Sequence, residues 1–267
     1  MILQSIGRTT DLIFARFSGQ VVDKGHYTLI QTPSNPGFHW GNYIIFNHPP
    51  SDESYREWRD IFDKEFPYYK EPHHYVFTWD CEQNHPGNTA EFIKQGFDLE
   101  TATVLTTRSV HGPPHFNSKL DVRPFASNKD WTDAINLHVL CADVKFLNSG
   151  YFEFKSKQMA VYQSMIRAGM GERFGAFIDG KLVGDLGIFH DGTIARYQNV
   201  VTHPEYRRQG ICGTLVFQAG KYALTNFGVK TLVMEADASY HAARIYESVG
   251  FKRCETNYAL SWWQGTR

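Results

Sequence analysis

Two hydrophobic periods alternate along the second half of the chain. Leu120-Asp-Val-Arg-Pro-Phe reads as a short strand, and Lys129 to Leu140 as a helix with Trp131, Ile135, His138 and Val139 roughly on one face. Ser156 to Gly169 predicts a second amphipathic helix carrying Met159, Val161, Tyr162, Met165 and Ile166. An antiparallel meander follows. Phe174-Gly-Ala-Phe-Ile turns at Asp179-Gly180 into Leu182 to Phe189, which turns at Asp191-Gly192 into Thr193 to Val201; Asp-Gly between apolar runs is a strong hairpin signal. Then come a glycine-spaced helix start, a strand over Thr231 to Ala236, a helix from Ser239 to Val249 and a closing hairpin. Ser239 is placed to cap that last helix and Gly250 to stop it.

The first half repeats part of this order in weaker form. Tyr75-Val-Phe-Thr-Trp-Asp, Thr89 to Phe97 and Thr101-Ala-Thr-Val-Leu-Thr parallel Leu232 to Asp237, Ala243 to Phe251 and Asn257 to Ser261, with Gly96-Phe97 aligned on Gly250-Phe251 and Phe92 on Tyr246. Trp40 to Pro49 resembles a strand and turn before a phosphate loop, but Asp52, Glu53 and Glu57 follow, and they would repel a pyrophosphate while suiting a first helical turn.

Composition bounds the function. A length of 267 residues exceeds one ordinary domain, and 42% apolar residues with 15% aromatics supply a folded core. A net charge of −1 argues against a strongly basic nucleic-acid or anionic-membrane surface, so neither nucleic acid nor membrane is expected as a partner. No apolar run reaches the roughly 20 residues of a spanning helix, and the N-terminus lacks a charged-then-apolar leader pattern, which reads as cytoplasmic. Cys81, Cys141, Cys212 and Cys254 are scattered without Cys-x-x-Cys spacing, which suits reduced thiols, and His73-His74, His111 and His115 lie in Pro-rich connections, so no metal is expected. Ser109 to Phe116 reads as the linker between the halves.

The chemistry concentrates in Val200-Val-Thr-His-Pro-Glu-Tyr-Arg-Arg-Gln-Gly-Ile-Cys-Gly-Thr214. A helix leaves its first N–H groups unpartnered and carries about half a positive charge at its N-terminus, which attracts an anion. Arg207 and Arg208 add full charge, and Gly210 keeps side-chain atoms away from the backbone. Neither Gly-x-Gly-x-x-Gly nor a Walker pattern fits. Arg-x-x-Gly-x-small, here Arg207, Gly210 and Cys212, instead resembles the acyl-CoA loop of the GNAT acetyltransferases. A second motif of that family, Asn-x-x-Ala-x-x-Leu-Tyr-x-x-x-Gly-Phe, is matched in order by Ala242, Ile245, Tyr246, Gly250 and Phe251, with Ser239 in place of Asn.

The resemblance covers roughly residues 119–263 and implies an α/β (α+β) GNAT fold, a central mixed and mostly antiparallel sheet flanked by helices. It implies a tandem arrangement, with residues 1–118 a degenerate GNAT-like domain, structural or acceptor-binding, and residues 119–267 the catalytic one. The implied co-substrate is acetyl-CoA and the implied partner an amine acceptor; no oligomeric state is indicated. Main-chain contacts to the cofactor are expected from Val200, Val201 and Thr202, where the strand ending there parts from the strand at Thr231. Phosphate contacts are expected from Arg207, Arg208, Gln209, Gly210, Ile211, Cys212, Gly213 and Thr214, and arm contacts from Ser239, Ala242 and Tyr246.

Acetyl transfer to an amine needs an oxyanion donor, a proton donor for the departing thiolate and a proton acceptor. Tyr246 is the proton-donor candidate, because an ordinary tyrosine pKa of about 10 lies near that of an alkyl thiol. A backbone N–H of Val200 to Thr202 is the oxyanion candidate. Glu235, Asp237, Asp185 and His190 lie within reach of the acyl centre, and the acceptor role stays unassigned among them. Cys212 also reads as a thiol activated by the helix N-terminus and the arginines, ranked below a simple small residue. Phe146 and Tyr151 are placed to wall the acceptor pocket. Two alternatives stand beside this reading, a non-catalytic acyl-CoA-binding or sensory module and an aminoacyl-tRNA-dependent transferase of GNAT-like fold.

Overall fold

A computed structural model describes residues 3–67, 74–80, 85–142, 150–239 and 242–263. Two compact units emerge: Met1–Thr103 with Asp237–Ser239 and Glu255–Arg267, and Val104–Ala236 with Tyr240–Cys254. The first draws on both ends of the chain.

In the first unit, helix α1 (Ile6–Ser18) precedes strands β1 (Gln20–Asp23), β2 (Tyr27–Gln31) and β3 (Tyr43–Phe46), helix α2 (Ser54–Glu65), strand β4 (His74–Trp79), helix α3 (Ala90–Lys94) and strand β5 (Asp98–Thr107). The strands follow in the order β1, β2, β3, β4, with Ala259–Trp263 of β11 (Lys252–Trp263) antiparallel to β4. β3 and β4 run parallel, joined by the crossover through α2 that a parallel pair needs. Their core is aromatic: Phe46 stacks on Trp58 at 4.0 Å, and Phe62, Phe77, Phe92 and Phe97 complete it.

The second unit contains β6 (Asp121–Pro124), α4 (Asn128–Cys141), α5 (Tyr151–Arg167), the meander β7 (Gly171–Ile178), β8 (Lys181–Asp191) and β9 (Ile194–Thr202), then α6 (Ile211–Asn226), β10 (Thr231–Asp237) and α7 (Ala242–Glu247). The strand order is β6, β7, β8, β9, β10, with only β9 and β10 parallel, the mixed and mainly antiparallel sheet expected. Asp179 and Gly180 both take positive φ, 50° and 76°, as a two-residue hairpin turn requires. Leu186, Ile188, Leu215, Val216, Leu232 and Met234 anchor a core between sheet and α6. No helix among the described residues is long and apolar enough to cross a membrane.

Three elements differ from their sequence reading. Helix α5 starts at Tyr151 rather than Ser156: Ser156 donates to the Phe152 carbonyl at 2.8 Å, and Lys157 pairs with Glu153 at 2.9 Å one turn earlier. Helix α7 ends at Glu247 rather than Val249, with residues 248–250 in turn conformation; residues 240 and 241 on its N-terminal side lie outside the described residues, and the Ser239 hydroxyl donates to Asp237 Oδ1 at 2.7 Å. The closing hairpin is one continuous strand, β11, in which Asn257 is buried and accepts from the Ser5 hydroxyl.

Candidate functional site

A bulge re-aims the end of β9. Asp185 on β8 faces Val201 while Gly187 faces Gln198, so Asp185 to Gly187 spans two steps and Val201 to Gln198 three. Asn199 absorbs the extra residue at φ 51°. On the other edge, β9 pairs with β10 only from Ile194, Ala195 and Arg196 to Thr231, Leu232 and Val233. Beyond Arg196 the two strands carry on unpaired, and Val200, Val201 and Thr202 lie half-buried on that stretch. The expected splay is therefore present, with main-chain groups along it.

The turn after β9 prepares a helix end. His203 accepts the Glu205 N–H at 3.3 Å and starts a short 3-10 turn, Pro204–Tyr206. Arg208 and Gly210 both take positive φ, 62° and 74°, and Gly210 leads into α6 with no side chain capping its first N–H groups. Arg207, Arg208 and Gln209 are exposed beside them, and Arg207 Nε donates to the Thr202 carbonyl at 3.4 Å. Free N–H groups, a positive dipole end and two guanidinium groups fit a pyrophosphate. A Cβ at Gly210 would run into the carbonyl oxygen of His115.

Connecting residues 113–119 flank this turn. Asn117 donates through its main chain to the Thr214 hydroxyl at 2.9 Å and through Nδ2 to the Gln209 carbonyl at 2.8 Å. Thr214 is thus fully buried and engaged by the chain itself. An open groove of about 570 Å³ lies between the two segments, with His115, Lys119 and Arg208 among its lining residues. Ile211 and Gly213 are buried in helix packing, and Cys212 is desolvated against the core, which pushes its thiol up to about 12 and overturns the activated-thiol reading.

Tyr246 is buried on α7, its ring edge-on to Phe251 at 6.5 Å, and Phe251 in turn is edge-on to Tyr197 at 5.7 Å. Tyr197 donates to the Val216 carbonyl at 2.8 Å, so an aromatic chain ties α7 to β9 and α6. Ala242 is half-buried and Ser239 exposed.

Three of the four proton-acceptor candidates hold polar partners, and the fourth, His190, buries Nε2 without one among the described residues. Glu235 pairs with Arg196 at 2.8 Å, Asp237 accepts from Ser239, and His190 stacks on Phe227 at 4.8 Å. Asp185 is fully buried and accepts from Arg173; Arg173 Nη2 also lies 2.7 Å from His138 Nε2. Burial would raise the Asp185 carboxyl, but Arg173 and His138 prevail and hold it low, while burial pulls His138 down to about 4.

Sequence reasoning missed what adjoins that group. Lys155 and Gln158 on α5 are buried, and Lys155 Nζ donates to Gln158 Oε1 at 2.8 Å. Gln158 Oε1 also accepts from Asn199 Nδ2 at 2.9 Å, and Tyr162 accepts from the same amide at 3.0 Å. The available signal was phase: Lys155 sits four residues before Met159 and seven before Tyr162, on the face assigned to the core. Tyr151 is half-buried, and burial raises its hydroxyl pKa; Phe146 lies outside the described residues.

The acetyltransferase (GNAT) domain family model matches residues 145–265. A functionally unknown conserved protein from Staphylococcus epidermidis ATCC 12228 is 15% identical over 91% of this chain and 93% of its own, with a TM-score of 0.72. A GCN5-related N-acetyltransferase from Kribbella flavida is 15% identical over 95% and 93%, with a TM-score of 0.63. A tandem GNAT protein from the clavulanic acid biosynthesis pathway is 11% identical over 97% and 88%, with a TM-score of 0.56. At these identities the likeness carries the fold. No curated protein matches the chain.

Proposed function

We propose, because residues 145–265 match the acetyltransferase (GNAT) domain family, that the second unit transfers the acetyl group of acetyl-CoA to a primary amine of a small molecule or peptide. One observation carries the reading. β9 and β10 part beyond Arg196 and Val233 beside the uncapped start of α6, whereas β3 and β4 stay paired through their last residues, Phe46 and Trp79. An opened pair offers main-chain groups to an extended pantetheine arm as an extra strand would. The closed pair offers none.

The first unit is correspondingly a degenerate copy. Asn88 donates to the Pro50 carbonyl at 2.7 Å ahead of α2, and Phe92, which has no hydroxyl, is buried where Tyr246 stands in the second. The catalytic domain follows as residues 119–267 and the degenerate one as 1–118, two chain segments whose ends are shared between the compact units.

Transfer is direct. The amine nitrogen bonds to the acetyl carbon as the carbon–sulfur bond breaks, the Val200 or Val201 N–H steadies the carbonyl oxygen, and Tyr246 gives its proton to the departing thiolate. The Arg207 to Thr214 turn binds the pyrophosphate, and Ser239 and Ala242 border the arm. No side chain is assigned to accept the amine proton, which leaves to solvent. Metal plays no part in this scheme, nor does a nucleic-acid or membrane partner, and it suits a cytoplasmic enzyme.

Thermal melting tests it. Acetyl-CoA raises the midpoint of the wild-type protein, since a ligand that binds only the native state must, and Arg207→Glu abolishes the rise. Amine-dependent thiol release then separates a transferase from a module that only binds acyl-CoA.

A further inference from the structure

The bulge that opens β9 is tied to α5. Asn199 holds φ 51°, in the left-handed region that asparagine adopts more readily than most residues with a side chain but less readily than glycine. Both hydrogens of its side-chain amide are used, on Gln158 Oε1 and on the Tyr162 hydroxyl. Gln158 Oε1 is fixed in turn by Lys155 Nζ one helical turn away.

A buried lysine is an unfavourable choice for a purely structural tie. Arg173 on β7, Asp185 on β8 and His138 on α4 face the same cluster, and the Tyr151 and Phe154 rings lie 5.8 Å and 5.1 Å from Lys155 Nζ. Asp185 balances Arg173, so a second cation has no carboxylate of its own among the described residues. Burial, and then Arg173, pull the Lys155 amine down to about 7 against the opposing pull of Asp185. A methionine would fill similar volume without that cost.

We propose that Lys155 is a positioning residue of the transfer site: through Gln158 Oε1 it holds Asn199 in its left-handed conformation and so sets the course of the main chain at Val200 and Val201, beside the parting of β9 and β10. The effect on turnover rests on the transferase reading. The effect on the backbone does not.

A double-mutant cycle on the full chain tests this, with hydrogen exchange at the Val200 and Val201 amides, measured without ligand, as one readout and kcat and acetyl-CoA affinity as the others. Lys155→Met should speed exchange about tenfold or more and lower kcat by a similar factor while affinity stays within about threefold. In an Asn199→Gly background the same substitution should change exchange and kcat by less than about twofold, because glycine takes φ 51° with no tether. Gln158→Leu should reproduce Lys155→Met and replaces it if that variant does not fold. An equal penalty in both backgrounds, or none in the wild-type background, overturns the proposal. If the wild type binds no acetyl-CoA, the transferase reading fails, and the exchange cycle still decides the inference.

Discussion

His115 presents its carbonyl oxygen to the α-carbon of Gly210 so closely that no Cβ fits between them, and Gly210 holds φ 74° in addition. Two independent constraints therefore select glycine at the start of α6. Gly210→Ala should lose about 1–3 kcal/mol in urea unfolding, from the left-handed backbone and the displaced connecting segment. It should also lose its melting response to acetyl-CoA.

Tyr246→Phe keeps the buried ring and its edge contact with Phe251. Acetyl-CoA affinity should hold within about threefold while acceptor-dependent thiol release falls by about 10². Unchanged release would remove Tyr246 from the proton-donor role and leave it a packing residue.

Lys155 makes stability depend on pH in a defined direction. Its folded pKa of about 7 lies below its ordinary value of 10.5, so between those values the unfolded chain binds the extra proton and stability rises with pH. The cost of burial is complete below pH 7 and fades toward pH 10.5. Lys155→Met should therefore stabilise the protein more at pH 7 than at pH 9, removing a slope of up to about 1.4 kcal/mol per pH unit. Denaturant unfolding across that range reads it. The same substitution is expected to slow turnover, which separates its two effects.

Asp185→Asn leaves Arg173, fully buried, without a counter-charge. A loss of about 3–5 kcal/mol is expected in urea unfolding. Replacing Asp185 and Arg173 together by apolar residues should recover most of it.

The sequence displayed most of the second unit. Asp179-Gly180 and Asp191-Gly192 mark hairpins because their backbone demands are local, and Arg207, Gly210 and Tyr246 carry their chemistry in side-chain type and spacing. Strand partners were less legible: a period of two says which face of β11 is buried, and Asn257 shows that it is, but not that its end lies against β4. The Lys155, Gln158 and Asn199 chain was hidden for another reason. It joins a helix to a strand bulge through side-chain amides, and a polar residue on an apolar face announces a partner without naming it.

The central claim is that one of two related units retains an acyl-CoA site. Calorimetric titration of the full chain with acetyl-CoA, in wild type and in Arg207→Glu, tests it most directly. Saturation at about one equivalent per chain, lost in Arg207→Glu, is the expected result. Two equivalents, no binding, or binding that survives the charge reversal would contradict it.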